Sequence, residues 1–235
     1  MTTNRVSLDL SGTWKIAFDP DNVGRREGWF DADAIDAYAT REIAVPSCWE
    51  EIEQDYEGVA WYTRTFDVPA SFPDGTVRLK FHAANYRAEV RLNGEMVGYH
   101  DGGYTPFDFD VTGIVRRAEN VLIVRVVGPL ITRDVVIDGI GMNETPHWRG
   151  AITGGLWQPV ELIVTPQVYV RDVFVAPDIH TGTVTVDLKL ENADRRRRRG
   201  MVTLSIYEAG NGSGAGPEIH AGSAPPIASV EVPVT

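Results

Sequence analysis

The stretch from Leu92 to Val111, LNGEMVGYHDGGYTPFDFDV, commits this chain to antiparallel β structure. Asn93-Gly94 lies between two strand-like runs and supplies the two positive-φ residues of a type I′ turn, so a two-residue loop sets the register of its strands. In that register Val90 is expected to face Val97 and Ala88 to face Tyr99 on the core side, with Glu89 and Arg91 pointing outward. Such a hairpin belongs to a half-buried antiparallel sheet.

Short strands are expected on both sides of it. Trp14 to Phe18, Ile43 to Val45 and Ala60 to Phe66 are β-rich runs separated by Asp, Gly and Pro. Val77 to Phe81 alternates, with Val77, Leu79 and Phe81 inward and Arg78 and Lys80 outward. Val121 to Val127 is apolar at nearly every position, as a central strand covered on both faces would be. Trp157 to Val164 completes this set, and only Asp31 to Ala39 has helical character. Beyond Thr165-Pro166, which marks a boundary, Val184, Val186, Leu188 and Leu190 alternate with polar residues, and Val202, Leu204 and Ile206 repeat the pattern. Many short strands with regular turn signals predict β-sandwiches.

A chain of 235 residues holds one large or two ordinary domains, and its 23 Gly and 14 Pro suit a turn-rich all-β protein. A domain of about 160 residues buries near 70% of its unfolded surface, so a sizeable core is available. The formal net charge of −11 disfavours nucleic acid and anionic membranes as partners and leaves neutral small molecules as natural ligands. A single cysteine, Cys48, excludes an intrachain disulfide and is expected to be a small buried hydrophobe. MTTNRVSLDLSG lacks the apolar core of a secretory signal, and no run approaches a membrane span. The expectation is a cytoplasmic protein.

Four blocks carry a family resemblance. NGxxVGxHxGGYTPFxxDVT is preceded by Trp61-Tyr62-Thr63-Arg64-Thr65-Phe66 with Val68-Pro69, and followed by Glu119 to Val126 and by Gly154-Gly155-Leu156-Trp157-Gln158-Pro159-Val160. In this order they resemble the N-terminal sugar-binding domain of family 2 glycoside hydrolases, which include β-galactosidases, β-glucuronidases and β-mannosidases. The resemblance runs from about Leu8 to Asp178. It implies a galactose-binding-like jelly-roll β-sandwich over residues 1–165, then an immunoglobulin-like β-sandwich over 166–235. The second sandwich looks incomplete, since about 100 residues are the usual size.

Little in the sequence carries chemistry by itself. His82, His100, His147, His180 and His220 show no metal-binding spacing, so no metal or cofactor is expected. No GxSxG elbow is present. Retaining glycoside hydrolysis needs two carboxyl groups about 5–5.5 Å apart. Glu50, Glu51, Glu53 and Asp55 form the densest acidic cluster, which reads as a solvated loop face. In the resembling family the catalytic glutamates lie in a later (β/α)₈ barrel, and no alternating strand-helix region occurs here, so no catalytic residue is assigned.

What the resemblance leaves is a supporting role in sugar recognition. Family members use the loop before the GG(I/L)W strand to approach the barrel pocket. Here that loop is Asp138 to Gly155, and Asn143, Glu144, His147, Trp148 and Arg149 are its candidate sugar contacts. An aromatic face packs on sugar C–H groups while amide, carboxylate and guanidinium groups serve hydroxyls. His100, Asp101, Gly102, Gly103 and Tyr104 read as structural: two glycines open backbone angles closed to other residues, and Asp101 can hydrogen-bond the turn. Trp14, Trp61 and Trp157 read as core residues in strands. Arg195 to Arg199 reads as a solvated hairpin tip between alternating strands, locally mobile through self-repulsion, and Gly210 to Pro226 as a long mobile loop.

The sequence therefore predicts a non-catalytic N-terminal region of a β-glycosidase, with a terminal β-linked sugar and a C-terminal barrel domain as partners. A free-standing carbohydrate-binding module is the alternative. A bracing role for the jelly roll, including contacts in a homo-oligomer, is compatible with the first reading.

Overall fold

The computed structural model describes residues 5–142, 153–194, 196–207 and 226–234. Over the described residues it is all-β apart from one short helix and one turn of 3₁₀-helix, and it divides into two compact units, Met1–Pro166 and Gln167–Thr235.

The first unit has two antiparallel sheets. Strands β1 (Val6–Asp9), β10 (Val160–Thr165), β5 (Thr76–Phe81) and β8 (Phe107–Asp110) form one, in that spatial order. The other runs β3 (Arg41–Val45), β2 (Gly12–Asp19), β4 (Val59–Phe66), β9 (Asn120–Val127), β6 (Arg87–Leu92), β7 (Glu95–Asp101). Strand alternation sends one face of each sheet into a shared core: Leu79 and Phe81 from β5 and Leu162 and Val164 from β10 pack with Trp14, Tyr62, Val90 and Val124 of the larger sheet.

The larger sheet is covered on its outer face as well. Ala17, Trp61, Ile123 and Val127 meet Trp29, Ile35, Leu130 and Ile140 from the segments between β2 and β3 and after β9. This second layer is why Val121 to Val127 is apolar on both faces. Helix α1 (Ala32–Asp36) lies in this layer, capped by the Asp31 side chain and anchored by fully buried Ile35. Buried Asp19, at the end of β2, accepts hydrogen bonds from the Val23 and Gly24 amides at 2.7 and 2.9 Å and from Trp61 Nε1 at 3.0 Å, which pins the covering segment to the sheet.

The Asn93-Gly94 turn forms as expected, with φ of 54° and 85°. The pairing beyond it is shifted by one residue. Val90 faces Gly98 and Ala88 faces His100, because the strand bulges at Val97. Tyr99 consequently stands opposite Glu89 and is 64% exposed, whereas Glu89 is buried under the outer layer and does not point into solvent. Trp14 and Trp61 are core residues, but Trp157 precedes β10 and is only half-buried. Arg78 departs from the outward expectation too, being buried and paired with Asp108 at 3.2 Å.

In the second unit β11 (Val168–Asp178) pairs antiparallel with β12 (Thr183–Asn192), and β13 (Gly200–Ile206) with β14 (Ala228–Val234). Arg195 to Arg199 is therefore no hairpin tip. The run links β12 to β13, whose ladder partners are β11 and β14, so it crosses between two separate sheets. Most of Gly210 to Pro226 lies outside the described residues. Among the described residues no helix is long and apolar enough to cross a membrane, and no group of three or more His, Cys, Asp or Glu could hold a metal ion.

Candidate functional site

Asn143, Glu144, His147, Trp148 and Arg149, the candidate sugar contacts, lie outside the described residues. The structure does describe both roots of the segment that carries them, and each root is built from buried polar groups.

The first root is Asp138. Arg125 on central strand β9 is fully buried and stands directly opposite Glu89 on β6. A lone cation in an apolar strand must be paired to be tolerated. Arg125 Nη1 lies 3.2 Å from Glu89 and 2.7 Å from Asp138 Oδ2, and Nη2 donates to Asn22 Oδ1 at 2.7 Å. Arg25 pairs with the same two carboxylates, reaching Asp138 Oδ1 at 2.8 Å. Arg87 Nη1 donates to the Asp138 carbonyl at 2.6 Å. Three guanidinium groups thus converge on one residue, and reciprocal Ile137–Ile140 backbone hydrogen bonds at 2.8 and 2.9 Å close the turn around it.

The second root is Thr153 to Gly155. The Gly154 carbonyl accepts from the Trp49 amide at 3.1 Å, and its N–H donates to the Glu50 carboxylate at 3.0 Å. Asn85 exchanges backbone hydrogen bonds with Gly155, and its side-chain amide donates to the Thr153 carbonyl. The indole of fully buried Trp49 lies against Gly154 and Gly128, where a Cβ on either would overlap the ring. Glu50 is accordingly no member of a solvated acidic face. Its burial pushes the carboxyl above the usual carboxylate range, despite the Gly154 N–H. Glu53, by contrast, is a surface partner of Arg41 at 2.5 Å.

The GGYTP block serves the same end of the sandwich. The Gly103 carbonyl accepts from Trp157 Nε1 at 2.8 Å, and a Cβ at Gly103 would overlap the Asn85 side chain. Asp101 does not bond the turn. It forms a cross-strand fork with Arg87, at 2.5 Å to Nε and 2.7 Å to Nη2, and this pairing holds its carboxyl below the usual range. Tyr104 and Trp157 meet edge to face at 5.7 Å, with Tyr104 59% exposed. Cys48 is half-buried, and burial followed by Glu50 and Glu51 raises its thiol, which leaves it a poor nucleophile.

Sequence reasoning passed over the residues that fix the roots. Arg125, the one charge inside Val121 to Val127, was the available signal, since a buried charge demands partners. Glu57 was also missed. It accepts the Ile131, Thr132 and Arg133 amides at 2.9, 3.0 and 3.2 Å and the Thr132 hydroxyl at 2.9 Å. Burial works against its charge, yet the Thr132 donors and the Ile131 and Arg133 amides together outweigh it and lower the carboxyl from its usual 4.5. A depressed folded-state pKa contributes stability that is present above the usual value and lost as pH falls through the folded one. Glu57→Gln should cost about 2 kcal/mol at pH 7 and flatten the fall in stability below pH 4.5, measured by urea unfolding across pH.

Each carboxylate at the two roots is committed to fixed donors: Glu50 to Gly154, Asp138 and Glu89 to arginines.

Comparison with known proteins agrees with the fold and the four sequence blocks. Residues 52–166 match the model of glycosyl hydrolases family 2, sugar binding domain. A β-glucuronidase of Paenibacillus borealis is 28% identical over 233 residues, covering 91% of this chain and 39% of that protein. A β-galactosidase of Thermoanaerobacter pseudethanolicus is 31% identical over 157 residues, covering 66% of this chain and 20% of that protein. The fold matches the crystal structure of Ruminococcus gnavus β-glucuronidase with a TM-score of 0.73 at 22% identity, over 97% of this chain and 38% of that one. The chain thus spans at most about two fifths of the length of these relatives. With the four blocks in order and residues 52–166 matched, that part of the chain is a sugar binding domain of glycosyl hydrolases family 2.

Proposed function

We propose that this chain is the N-terminal, non-catalytic region of a β-glycosidase. The whole protein would hydrolyse a terminal β-linked glucuronide, galactoside or mannoside by double displacement, with two glutamates on a barrel beyond these residues. The observation that carries this reading is that the chain aligns with relatives named β-glucuronidase and β-galactosidase over only 39% and 20% of their own lengths. The commitment of every carboxylate at the loop roots to fixed donors supports it.

In this reading the first unit is a jelly roll and the second an immunoglobulin-like sandwich. The segment 143–152, held by Asp138 at one end and by Glu50, Asn85 and Trp49 at the other, carries Asn143, Glu144, His147, Trp148 and Arg149 toward the terminal sugar. Rigid roots suit that task, because positioning a substrate within reach of distant catalytic groups needs a loop whose ends do not move. The single cysteine suits a reducing, cytoplasmic setting.

Trp148→Ala in the enzyme that joins this region to its barrel tests the loop. The expected result is a KM raised about tenfold with Tm unchanged. A change confined to Tm would overturn substrate contact and leave only a bracing role.

A further inference from the structure

On the outer face of the six-stranded sheet, beside its edge strand β7, lies a cleft of about 560 Å³, within the size range of small-molecule sites. Its walls are Arg25, Arg87, Glu89, Arg91, Phe30, Met96 and Tyr99, all in the first unit.

Among the described residues the charges around it cancel in pairs except for one. Arg25 and Arg125 face Glu89 and Asp138, and Arg87 faces Asp101. Arg91 has no carboxylate within ion-pair distance among the described residues. Its guanidinium carbon lies 4.5 Å from the centroid of the Phe30 ring, and one donor, Nη1, is committed to the Gly94 carbonyl at 2.9 Å. A guanidinium laid on an aromatic ring keeps a planar fork of N–H donors, the geometry that receives a carboxylate. One uncompensated cation in a chain of net charge −11 suits a carboxylate of a sugar acid and not a densely charged polymer such as nucleic acid.

The apolar components of the cleft are as unusual as its charge. Tyr99 is 64% exposed and Met96 45%, and the Arg87 guanidinium, itself fixed by Asp101 and the Asp138 carbonyl, lies 5.7 Å from the Tyr99 ring centroid. A braced, exposed aromatic ring offers a flat face to the C–H side of a pyranose.

From these observations we infer that the cleft is a second saccharide site: it takes a sugar chain bearing a carboxylate, with Arg91 receiving the carboxylate and Tyr99 stacking on a ring. The inference shares with the proposed function only the premise that saccharides are the ligands, and the residues it depends on are different.

Isothermal titration of the 235-residue chain with trigalacturonate and with neutral cellotriose tests it. Trigalacturonate should bind, cellotriose should not, and added salt should weaken the binding. Arg91→Ala and Tyr99→Ala should each weaken it about tenfold or more at unchanged Tm, and Arg91→Lys should fall between, having kept the charge and lost the fork. Lys15→Ala, which removes a surface cation elsewhere, should change nothing. Absence of trigalacturonate binding, or binding indifferent to Arg91, overturns the site. Equal affinity for citrate overturns its saccharide character. None of these failures bears on Trp148 or on the loop reading.

Discussion

Arg125→Met should lower the unfolding free energy of the first unit by about 3 kcal/mol, read as a Tm lower by about 8 °C. The cost comes from the partners and not from the lost side chain. Methionine fills a similar volume beside Trp61, but it leaves buried Glu89 and half-buried Asp138 with only Arg25 to compensate two carboxylates. Adding Glu89→Gln to the variant should therefore recover about half of the loss, since it removes one of the orphaned charges. Two additive destabilisations would mean that Glu89 and Arg125 are not coupled. Because Asp138 is one root of segment 143–152, the single variant should also speed proteolytic cleavage there before global unfolding.

Trp49→Ala should cost about 4 kcal/mol, the range for emptying a fully buried indole site. Trp49 lies edge to face with Phe18 at 6.3 Å and Tyr56 at 5.5 Å, and its ring covers the backbone of Gly128 and Gly154. The complementary change, Gly154→Ala, forces a methyl into that ring and should cost about 2 kcal/mol. Urea denaturation of the two single variants and the double variant separates the contributions. In Trp49→Ala the cavity accommodates the new methyl, so the double variant should be less destabilised than the sum. Strict additivity would contradict the packing described for the second root.

The strands were legible because their alternation and turn chemistry are local. Asn93-Gly94 announces a type I′ turn, and Val121 to Val127 announces a strand covered on both faces. The pairing register beyond the turn was not legible: a bulge at Val97 shifts every later pair by one, and no turn count contains it. Gly98, whose φ is 156° and where a Cβ would overlap Phe109, was its nearest trace. Charged residues misled for a related reason. Glu50 and Glu89 look solvated when read along the chain, but Gly154 and Arg125, distant in sequence, bury and satisfy them. The Arg195 to Arg199 run looked like a hairpin tip because neighbouring strands usually pair, and here they enter different sheets. For the candidate site, the family blocks located the loop, whereas the groups that hold it became visible only in three dimensions.

This region is expected to hold no catalytic carboxylate pair. The purified chain should be assayed for hydrolysis of 4-nitrophenyl β-D-glucuronide and β-D-galactoside at high protein concentration. The expected result is release of nitrophenol no faster than in buffer. Turnover that persists through a second purification and is abolished by Glu50→Gln would contradict the account, because it would place a working acid or nucleophile in the very loop root assigned here to structure.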